Sequence, residues 1–600
     1  MVALAWLLAI VAAAHGYGQI VASALKLRLS TRAERATVTI GFGTGFLVVA
    51  VFVLGLLHLI GRGPSLLLIV PAGAFAIWKA ATPPLGAAAG PVAEPRWLRV
   101  ALLGALVACI AANVVGTLAP ASFIDALMYH LVIPRSYVHA GRIVELPAIW
   151  QSYQPLGVEM LFTLGFSLQG PLLSALAHTG LGVLAAAATG LLGRRLAGPL
   201  GGLLAAAIFY CTAMVEWEST SCFVDLGTTA FSALGFYAVL VWSDDENPRW
   251  LVAAACLMGL AGTCKLPAIQ FAVIGAGVVG WISLRRGRGP VASAGRVVAF
   301  LGISVGLCLP WYVHSYIWSG NPVYPFATKI FGDNRDNAAV QSILGQYAPG
   351  HGIKDLVLAP WRLFSGGAAF ECAQYLSPLP FILAPLILFR LRGSRDRQIL
   401  AAPAGIGFLF WFVSAHVARY LVPLQPFLVA LTVDAMLWFA GGSRYRGRLM
   451  VLTGAAFIGF GTLSTLLTLK TFAPVVFHRE SADAYLARMS PFYNLYKTVA
   501  KDVPEDALIL TNQGPTYYLD RPHVRMSDAV FLGRPDRLSG VLDGARFTHI
   551  LVYGHGGMEQ TVLALGPRVR LLWSRQVDTP ASRTFGGTVA VPAALFAVVH

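Results

Sequence analysis

Residues 98–118, LRVALLGALVACIAANVVGTL, form an apolar run long enough to cross a membrane as one helix, and residues 121–135, ASFIDALMYHLVIPR, follow it almost directly. The second stretch carries an acid, a tyrosine, a histidine and an arginine in a chain that is 56% hydrophobic and only 12% charged. A bilayer core of roughly 30 Å needs about 20 apolar residues per helix. The two stretches together predict a membrane helix that ends in chemically active side chains.

The rest of the chain repeats this apolar pattern. A mean hydropathy of +0.67 over 600 residues exceeds what a soluble core can bury. Strands of a membrane barrel would alternate polar and apolar residues, and these runs do not. The sequence therefore predicts an all-α polytopic membrane protein with about fourteen transmembrane helices. The predicted spans lie near 2–23, 38–60, 64–80, 98–118, 172–192, 199–218, 223–242, 249–264, 267–284, 297–317, 376–391, 398–415, 420–440 and 449–470.

Basic residues distinguish the two sides of the membrane. By the positive-inside rule, loops rich in Lys and Arg face the cytoplasm. These loops contain Lys26, Arg28, Arg32 and Arg35, then Arg96 and Arg99, then Arg285, Arg286 and Arg288, then Arg390, Arg392, Arg395 and Arg397, and then Arg444, Arg446 and Arg448. The rule places residues 119–155, 318–375 and 471–600 on the opposite side, together with the amino terminus.

Two apolar segments need separate interpretation. The run at 2–23 lacks a basic leader and a clear cleavage site, which favours a retained helix over a secretory signal. The run at 156–170 is short and ends at Pro171, and a full span there would move Asp225 to the cytoplasmic side. We therefore expect 156–170 to be a partial or surface-lying helix.

The composition changes after Lys470 to that of a soluble module, with short apolar runs between turn-forming residues. This spacing predicts a small mixed α/β domain of about 130 residues. We expect three parts: additional N-terminal helices at 1–96, a transmembrane core at 97–470 and an extracytoplasmic domain at 471–600. A linker rich in Ala, Gly and Pro lies at 81–95.

Charge and cysteine content restrict the partners. The net charge of +16 lies mainly in membrane loops, so attraction to anionic membrane lipids explains it better than binding of nucleic acid. The seven cysteines show no metal-ligand spacing and are expected to be mostly small core residues. A disulfide between Cys222 and Cys372 on the outer side is left open.

The first outer loop has residues for acid–base chemistry. If 123–135 begins as an α-helix, Asp125 and Tyr129 lie on one face, and His130 lies about 100° away. An ionised carboxylate can accept a proton from a hydroxyl, and a tyrosine or histidine beside it can orient the acceptor or stabilise a leaving group. A helix cap and an interfacial aromatic belt would explain the same residues without chemistry.

Three later charged residues are predicted on the same membrane face. Asp225 opens an apolar helix, where it could also serve only the helix dipole. Lys265 lies in a tight turn between two apolar runs; it suits the phosphate of a lipid, and a snorkelling lysine is the simpler alternative. Arg419 could bind a diphosphate or anchor a helix at the interface. Between Lys265 and Arg419, the two prolines of residues 320–325, GNPVYP, predict a rigid loop.

In the order of these motifs, the chain resembles the bacterial membrane glycosyltransferases of the GT-C fold, which are related to protein O-mannosyltransferases and the lipid A aminoarabinose transferase. The resemblance covers roughly residues 98–440. Its motifs are Asp125 with Tyr129 and His130, Phe223 to Leu226 at a helix start, Gly259 to Ala261 followed by Lys265, the loop Gly320 to Pro325, and Arg419 to Pro423.

The resemblance implies an inner-membrane enzyme that takes a sugar from a polyprenyl-phosphate donor on the extracytoplasmic face and passes it to a lipid, glycan or protein acceptor. It implies Asp125 as the catalytic acid/base and Asp225 as a second active-site acid, and we expect His130 to be catalytic as well. It places Lys265 and Arg419 near the donor phosphate. The remaining residues expected to bind substrate are Tyr129, Arg135, Glu159, Asn321, Tyr324 and Tyr420.

The first loop also departs from the family pattern. Many relatives carry paired acids there, whereas here Ile124 precedes Asp125. A site that needs a divalent metal generally supplies several carboxylates, and the good candidates are Asp125, Asp225 and Glu159. We therefore expect neither a required metal nor another cofactor.

A transporter or lipid-linked glycan flippase is the competing interpretation, since it would also be polytopic with basic loops. A transporter is expected to place ionisable residues near mid-bilayer on broken helices, often in two matching halves. Here the candidate charges fall at predicted helix ends on one side. A structural subunit with a degenerate site is a third interpretation.

Overall fold

The described part of the chain is long but not continuous. The computed structural model describes residues 2–81, 95–332, 350, 352–365, 376–414, 416–512, 514–526, 528–532, 535–554, 556–580 and 587–599. The predicted linker at 81–95, apart from its two end residues, and Cys372 lie outside the described residues.

Apolar helices build the chain up to Val476. They are α1 (Val2–Ala24), α2 (Arg32–Leu56), α3 (Arg62–Ala81), α4 (Arg96–Thr117), α5 (Val132–Ala140), α6 (Gly157–Leu168), α7 (Pro171–Tyr210), α8 (Ala213–Ser219), α9 (Asp225–Asp245), α10 (Pro248–Cys264), α11 (Ile269–Arg285), α12 (Pro290–Ser319), α13 (Thr328–Phe331), α14 (Ile353–Ser365), α15 (Leu379–Ile382), α16 (Ala384–Leu391), α17 (Arg395–Ser414), α18 (Gln425–Ala440) and α19 (Arg444–Val476). In the described ranges, 10 helical segments are long and apolar enough to cross a membrane. The chain is therefore a multi-pass, mainly α-helical membrane protein, as predicted.

The number of long helices differs from the predicted fourteen. The predicted spans 172–192 and 199–218 belong mostly to α7, whose helical geometry is interrupted at Ala197 and Gly198. Gly198 has a φ of 74°, which glycine adopts without strain. A sharp break within α7 thus takes the place of the loop that the sequence predicted between these two spans.

Proline divides another predicted span. Residues 376–391 contain Pro380 and Pro385, and each lies in the first turn of a separate short helix, α15 or α16. Proline is tolerated at that position and not in a helix interior. The apolar composition of this segment indicated a location in the membrane. It did not show that the helix there is divided in two.

The segment predicted as a partial or surface-lying helix forms α6, which has only 12 residues. Every residue of α6 except Phe166 is buried, and the helix packs against α2, α5 and α7. A helix that is apolar on all sides is stable when protein surrounds it. Its shortness agrees with the prediction of a partial helix, and its location at the membrane surface stays a prediction.

The N-terminal helices belong to the same bundle as the later ones. A Cβ atom built on Gly43 in α2 would lie 1.6 Å from the carbonyl oxygen of Ala14 in α1, so the two backbones are in direct contact. Small residues permit such close approach between membrane helices. From α2, Glu34 accepts a hydrogen bond of 2.9 Å from the Tyr237 hydroxyl in α9. The run at 2–23 is thus packed as a helix of the bundle.

A small α/β domain follows α19. It contains α20 (Ala482–Met489), α21 (Tyr493–Asp502), β1 (Ile509–Thr511), β2 (His523–Arg525), α22 (Asp528–Phe531), α23 (Pro535–Gly544), β3 (His549–Tyr553), α24 (Met558–Leu563), β4 (Val569–Pro580) and β5 (Thr588–Val598). The strand order is β2-β1-β3-β5-β4; β1 runs parallel to β2 and β3, whereas β5 runs antiparallel to β3 and β4. The predicted α/β domain is confirmed, although α19 continues past Lys470.

Candidate active site

Asp125 lies at the start of a π-helical turn, Ala126–His130, in the loop between α4 and α5. The Leu131 N–H closes this turn by donating to the Ala126 carbonyl oxygen at 3.0 Å. Such turns are rare and often occur at functional sites. The segment begins with an α-helical turn at residues 124–125, where the Leu127 N–H donates to the Phe123 carbonyl oxygen, and it then widens into the π-helical turn.

Four charged side chains meet beside this turn. Arg419 Nη1 donates to Asp125 Oδ2 at 2.8 Å, and Lys265 Nζ donates to Asp225 Oδ1 at 2.9 Å. Arg419 Nε lies 3.7 Å from Asp225 Oδ2, which joins the two pairs. We refer to Asp125, Asp225, Lys265 and Arg419 as the charged cluster. The sequence predicted these residues on one membrane face, and the structure brings them into contact.

Helix ends position the members of the charged cluster. Asp225 is the first residue of α9, and Lys265 has extended backbone (φ −160°, ψ 139°) directly after α10. Arg419 belongs to the 3₁₀ segment Ala418–Leu424, which leads into α18. A charge at the end of a span is less costly than one at its middle, and here each charge also has an opposite partner.

Aromatic rings cover the cations of the cluster. Lys265 Nζ lies 3.5 Å from the centre of the Tyr420 ring, and the Arg419 guanidinium lies 4.8 Å from the Phe223 ring. Ring faces attract cations without accepting conventional hydrogen bonds. The cations are therefore held in place with some of their donors unused.

Arg419 has one such unused donor. Its Nε is buried and has no hydrogen-bond acceptor among the residues that the structure describes, since the 3.7 Å approach to Asp225 is beyond hydrogen-bond length. A buried donor without an acceptor is unfavourable until a suitable oxygen arrives. This geometry fits an incoming oxyanion that would bind between Arg419 and Lys265.

His130 and Glu159 form a second, deeper pair. Nδ1 of His130 lies 2.7 Å from Glu159 Oε1, and both side chains are almost fully buried. Glu159 lies in the first turn of α6, so this short, buried helix places one acidic side chain inside the bundle. Glu159 thus orients His130 directly, while its second oxygen, Oε2, is buried without a hydrogen-bond partner.

Tyr129 connects the charged cluster with this deeper pair. Its ring lies 4.0 Å from the His130 ring, centre to centre. Desolvation, together with the negative charge of Asp125, raises the pKa of Tyr129 well above its ordinary value. The Tyr129 hydroxyl therefore keeps its proton at neutral pH and remains a hydrogen-bond donor.

Three residues expected to bind substrate have their described contacts elsewhere. Arg135 lies over the Tyr517 ring and lines a cavity of about 580 Å³ at the α/β domain. The Asn321 side chain donates to the Phe326 carbonyl and accepts from the Val323 N–H, so it stabilises its own loop. Tyr324 packs against Tyr153 at 5.5 Å between ring centres.

Glu218 is a buried acid that the sequence did not single out as a candidate. Both of its carboxyl oxygens are buried without hydrogen-bond partners, and it lies within electrostatic range of Asp225, Lys265 and Arg419. The chain has few charged residues, so the position of Glu218 only seven residues before Asp225 could have identified it as a candidate.

Arg525 connects the α/β domain to the π-helical turn. Its Nη1 donates to the carbonyl oxygens of Met128 at 2.8 Å and Gly514 at 3.2 Å. Burial lowers the pKa of Arg525 to about 10, so it remains charged at neutral pH. Nothing in the local sequence of strand β2 predicts this contact, because it depends on how the domain docks.

The charged cluster could exchange one of its internal partners for an anionic substrate. Its two cations and two carboxylates balance, so an added phosphate would compete for Lys265 and Arg419 and release a carboxylate. Within the described ranges, no group of three or more His, Cys, Asp or Glu side chains is arranged to hold a metal ion. That no metal is required stays a prediction.

Comparison with known proteins yields structural matches only. No family model matches the chain, and no curated protein sequence matches it. ArnT from Cupriavidus metallidurans bound to undecaprenyl phosphate is similar, with a TM-score of 0.52 and 13% identity over 84% of this chain and 98% of ArnT. The apo state of the same protein gives a TM-score of 0.52 and 13% identity over 83% of this chain and 97% of ArnT.

At such low identity, the similarity establishes the fold alone. The match with ArnT extends over most of both chains. The chain therefore has the GT-C fold.

Proposed function

We propose that this protein is an integral membrane glycosyltransferase that moves a sugar from a polyprenyl-phosphate donor to a lipid, glycan or protein acceptor. The observation that carries the proposal is the contact of Lys265 and Arg419 with two acids at helix ends of a GT-C fold. It is supported by the structural similarity to ArnT, which was solved with undecaprenyl phosphate bound.

Lys265 and Arg419 would bind the donor phosphate. The buried Nε of Arg419 has no acceptor, and Lys265 has further N–H donors beyond its bond to Asp225. Because Arg419 now donates to Asp125, a phosphate that takes over this donor would release the Asp125 carboxylate from its bond to Arg419. Donor binding and activation of the base would then occur together.

Asp125 is the better candidate for the general base. Its side chain is 21% exposed, whereas that of Asp225 is only 2% exposed, so Asp125 is more accessible to an acceptor. In the proposed step, Asp125 takes the proton of the acceptor hydroxyl, whose oxygen bonds to the anomeric carbon. The bond from that carbon to the phosphate oxygen breaks, and polyprenyl phosphate leaves with its new negative charge between Lys265 and Arg419.

Asp225, His130 and Tyr129 would support this step. Asp225 holds Lys265 in place, and the Glu159 pair fixes the ring of His130 beside Tyr129. The protonated hydroxyl of Tyr129 is suited to orienting a sugar or acceptor oxygen. We assign Glu159 a positioning role through His130 instead of direct contact with substrate.

The acceptor would approach from the side of the α/β domain. Arg135 lines the cavity there, and Arg525 of the domain holds the π-helical turn that follows Asp125. By the positive-inside rule, the charged cluster and the domain lie on the extracytoplasmic face of the inner membrane. A polyprenyl chain would reach the cluster laterally from the bilayer.

Sugar transfer in membranes tests the proposal. Membranes containing the wild type, Asp125→Asn or the control Asp506→Asn are supplied with radiolabelled polyprenyl-phosphate sugars and with native lipid, glycan and protein acceptors. Asp506 is an exposed acid of the α/β domain. We expect carrier-dependent transfer by the wild type and by Asp506→Asn, and a loss of at least about 100-fold in Asp125→Asn, as for removal of a general base.

Other outcomes would redirect the assignment. Equal transfer by the wild type and Asp125→Asn would remove Asp125 from the chemistry. If no donor is consumed across a broad panel while expression is normal, the transporter and the assembly subunit become the better interpretations.

A further inference from the structure

A second cavity, of about 390 Å³, lies among basic residues at the opposite ends of α11 and α17 from the charged cluster. It is lined by four arginines together with an aromatic ring and a helix start, namely Arg285, Arg286, Arg392, Arg395, Trp281 and Ser394. No Asp or Glu is among its lining residues. We refer to this site as the arginine cavity.

The arginine cavity lies across the membrane from the charged cluster. α11 begins just after Lys265 and ends at Arg285, and its 17 residues span about 25 Å. α17 begins at Arg395 and ends shortly before Arg419, and its 20 residues span about 30 Å. Two separate helices thus connect the two sites over about the thickness of a bilayer core, roughly 30 Å.

The arginines keep donors available for an anion. Within the described ranges, the guanidinium groups of Arg285 and Arg392 have no hydrogen bond or ion pair, although Arg285 lies 5.5 Å from the Trp281 ring. Arg395 has a buried Nε without an acceptor. Backbone N–H groups at the start of α17 add to the positive potential.

Nearby acids do not neutralise this charge fully. Asp244 and Asp396 are the carboxylates that contact Arg395, at 3.0 and 3.5 Å. Both are also bound more closely by Arg195, at 2.6 and 2.7 Å. Since Arg195 does not line the cavity, each carboxylate is shared and the lining arginines retain excess positive charge.

The surroundings of the arginine cavity favour a lipid over a soluble anion. Leu284 in α11 and Leu388 and Phe389 in α16 are at least half exposed and lie within a few residues of the lining arginines. In a multi-pass protein such side chains face acyl chains. An anion in the cavity would therefore have an apolar surface beside it.

We infer that the arginine cavity binds the phosphate of an anionic membrane lipid on the side opposite the charged cluster. The arginines bind the headgroup oxygens, Trp281 lies at the level of the headgroups, and the acyl chains lie along α11 and α16. This binding site is independent of the proposed sugar transfer, because it uses none of the residues of the charged cluster.

Native mass spectrometry of the full-length protein in neutral detergent tests the inference. The protein is titrated with dioleoyl phosphatidylglycerol, with zwitterionic dioleoyl phosphatidylcholine and with inorganic phosphate. The test variant is Arg285→Gln/Arg392→Gln, and the control is Arg444→Gln/Arg448→Gln. The control removes two exposed arginines from the start of α19, on the same predicted face, so the change of net charge is matched.

We expect one saturable phosphatidylglycerol site that prefers this lipid about tenfold or more over phosphatidylcholine. Each arginine should contribute about fivefold, so the test variant should lose most of the preference, and the control should retain it. Displacement of phosphatidylglycerol by inorganic phosphate at similar affinity would identify a soluble phosphate as the occupant of the same site.

Two further results would overturn the inference. One is equal binding of the two lipids by the wild type. The other is an equal effect of the test and control variants. If the double variant does not fold, the single variant Arg392→Gln is tested in its place. We expect its preference for phosphatidylglycerol over phosphatidylcholine to fall about fivefold.

Discussion

Lys265 connects the acidic and aromatic parts of the candidate active site, since it bonds to Asp225 at 2.9 Å and lies 3.5 Å from the Tyr420 ring. Lys265→Met removes the cation and leaves Asp225, which is almost fully buried, with Arg419 at 3.7 Å as its remaining ion-pair partner among the described residues. We expect the free energy of unfolding to fall by about 3 kcal/mol, as when one partner of a buried ion pair is lost. Binding of polyprenyl phosphate should weaken at least about tenfold. Thermal unfolding and equilibrium binding in detergent measure the two effects.

Lys470→Met is the control for this prediction, because Lys470 is exposed near the end of α19. It should change neither stability nor binding of polyprenyl phosphate. If Lys265→Met binds the lipid as tightly as the wild type, Lys265 does not hold the phosphate, whatever happens to stability.

We expect Glu218 to contribute to sugar transfer and to lower the free energy of unfolding. Both of its carboxyl oxygens are buried without partners, a condition that costs about 1–3 kcal/mol. Glu218→Met removes these polar atoms at similar length. Burial raises the pKa of Glu218 well above its ordinary value, so the carboxyl group is neutral at neutral pH. We expect the free energy of unfolding to rise by about 1 kcal/mol, seen as a higher Tm, while sugar transfer falls because a protonated carboxyl group near Asp225 is lost.

The exposed acid Glu505 provides the control for Glu218. Glu505→Met should alter stability by no more than about 0.5 kcal/mol. A lower Tm in Glu218→Met would contradict the prediction, since it would mean that the carboxyl group is well accommodated. Unchanged transfer would assign Glu218 no part in the reaction.

The sequence was most informative about individual charges and least informative about their partners. Asp125, Asp225, Lys265 and Arg419 stand out because charge is rare in this chain, and the structure places them in contact. Their pairing joins residues up to 294 positions apart, which no local pattern encodes. The contact of Arg525 with Met128 depends on domain docking and was equally inaccessible.

At the scale of elements, a side chain of the α/β domain stabilises the π-helical turn. Arg525 in β2 donates to the Met128 carbonyl inside the turn, so Arg525→Met should loosen the segment that carries Asp125 and His130. We expect kcat to fall about tenfold or more with little change in the KM for donor, because Lys265 and Arg419 are untouched. Steady-state kinetics of sugar transfer measure this split.

Arg568→Met is the control, because Arg568 donates within its own domain, to the side chains of Ser539 and Asp543. It should reduce domain stability without the selective effect on kcat. If both variants change kcat equally, the effect comes from the domain's stability and not from the contact with Met128.

Helical elements were predicted by composition, and their ends were set by particular residues. α6 was read correctly as too short to span, yet its burial became clear only when α2, α5 and α7 were seen around it. The break at Gly198 and the helix starts near Pro380 and Pro385 divide apolar runs that hydropathy treats as continuous. Hydropathy reports the environment of a segment and not the continuity of its hydrogen bonds.

At the scale of the whole molecule, α19 provides a test of orientation. Its 33 residues span about 50 Å, which exceeds the roughly 30 Å of a bilayer core, so we expect its two ends to lie on opposite sides. In a cysteine-free variant, cysteine is introduced at the exposed Arg448 or Lys497. A membrane-impermeant maleimide should label Lys497→Cys in intact spheroplasts and Arg448→Cys only after permeabilisation.

The reverse labelling pattern would place the α/β domain and the charged cluster in the cytoplasm. Labelling of both positions without permeabilisation would mean that the spheroplasts leak, and a cytoplasmic marker protein controls for this. The positive-inside rule supports the first pattern, since Arg444, Arg446 and Arg448 lie at the start of α19.

The ion pair between Asp125 and Arg419 also has a consequence for biogenesis. The two residues are 294 positions apart in a chain of 600, so Arg419 is synthesised long after Asp125 has left the ribosome. At about 5–20 residues per second, the interval is roughly 15–60 s. For about half of its synthesis, the nascent protein therefore carries an early-made acid whose guanidinium partner does not yet exist.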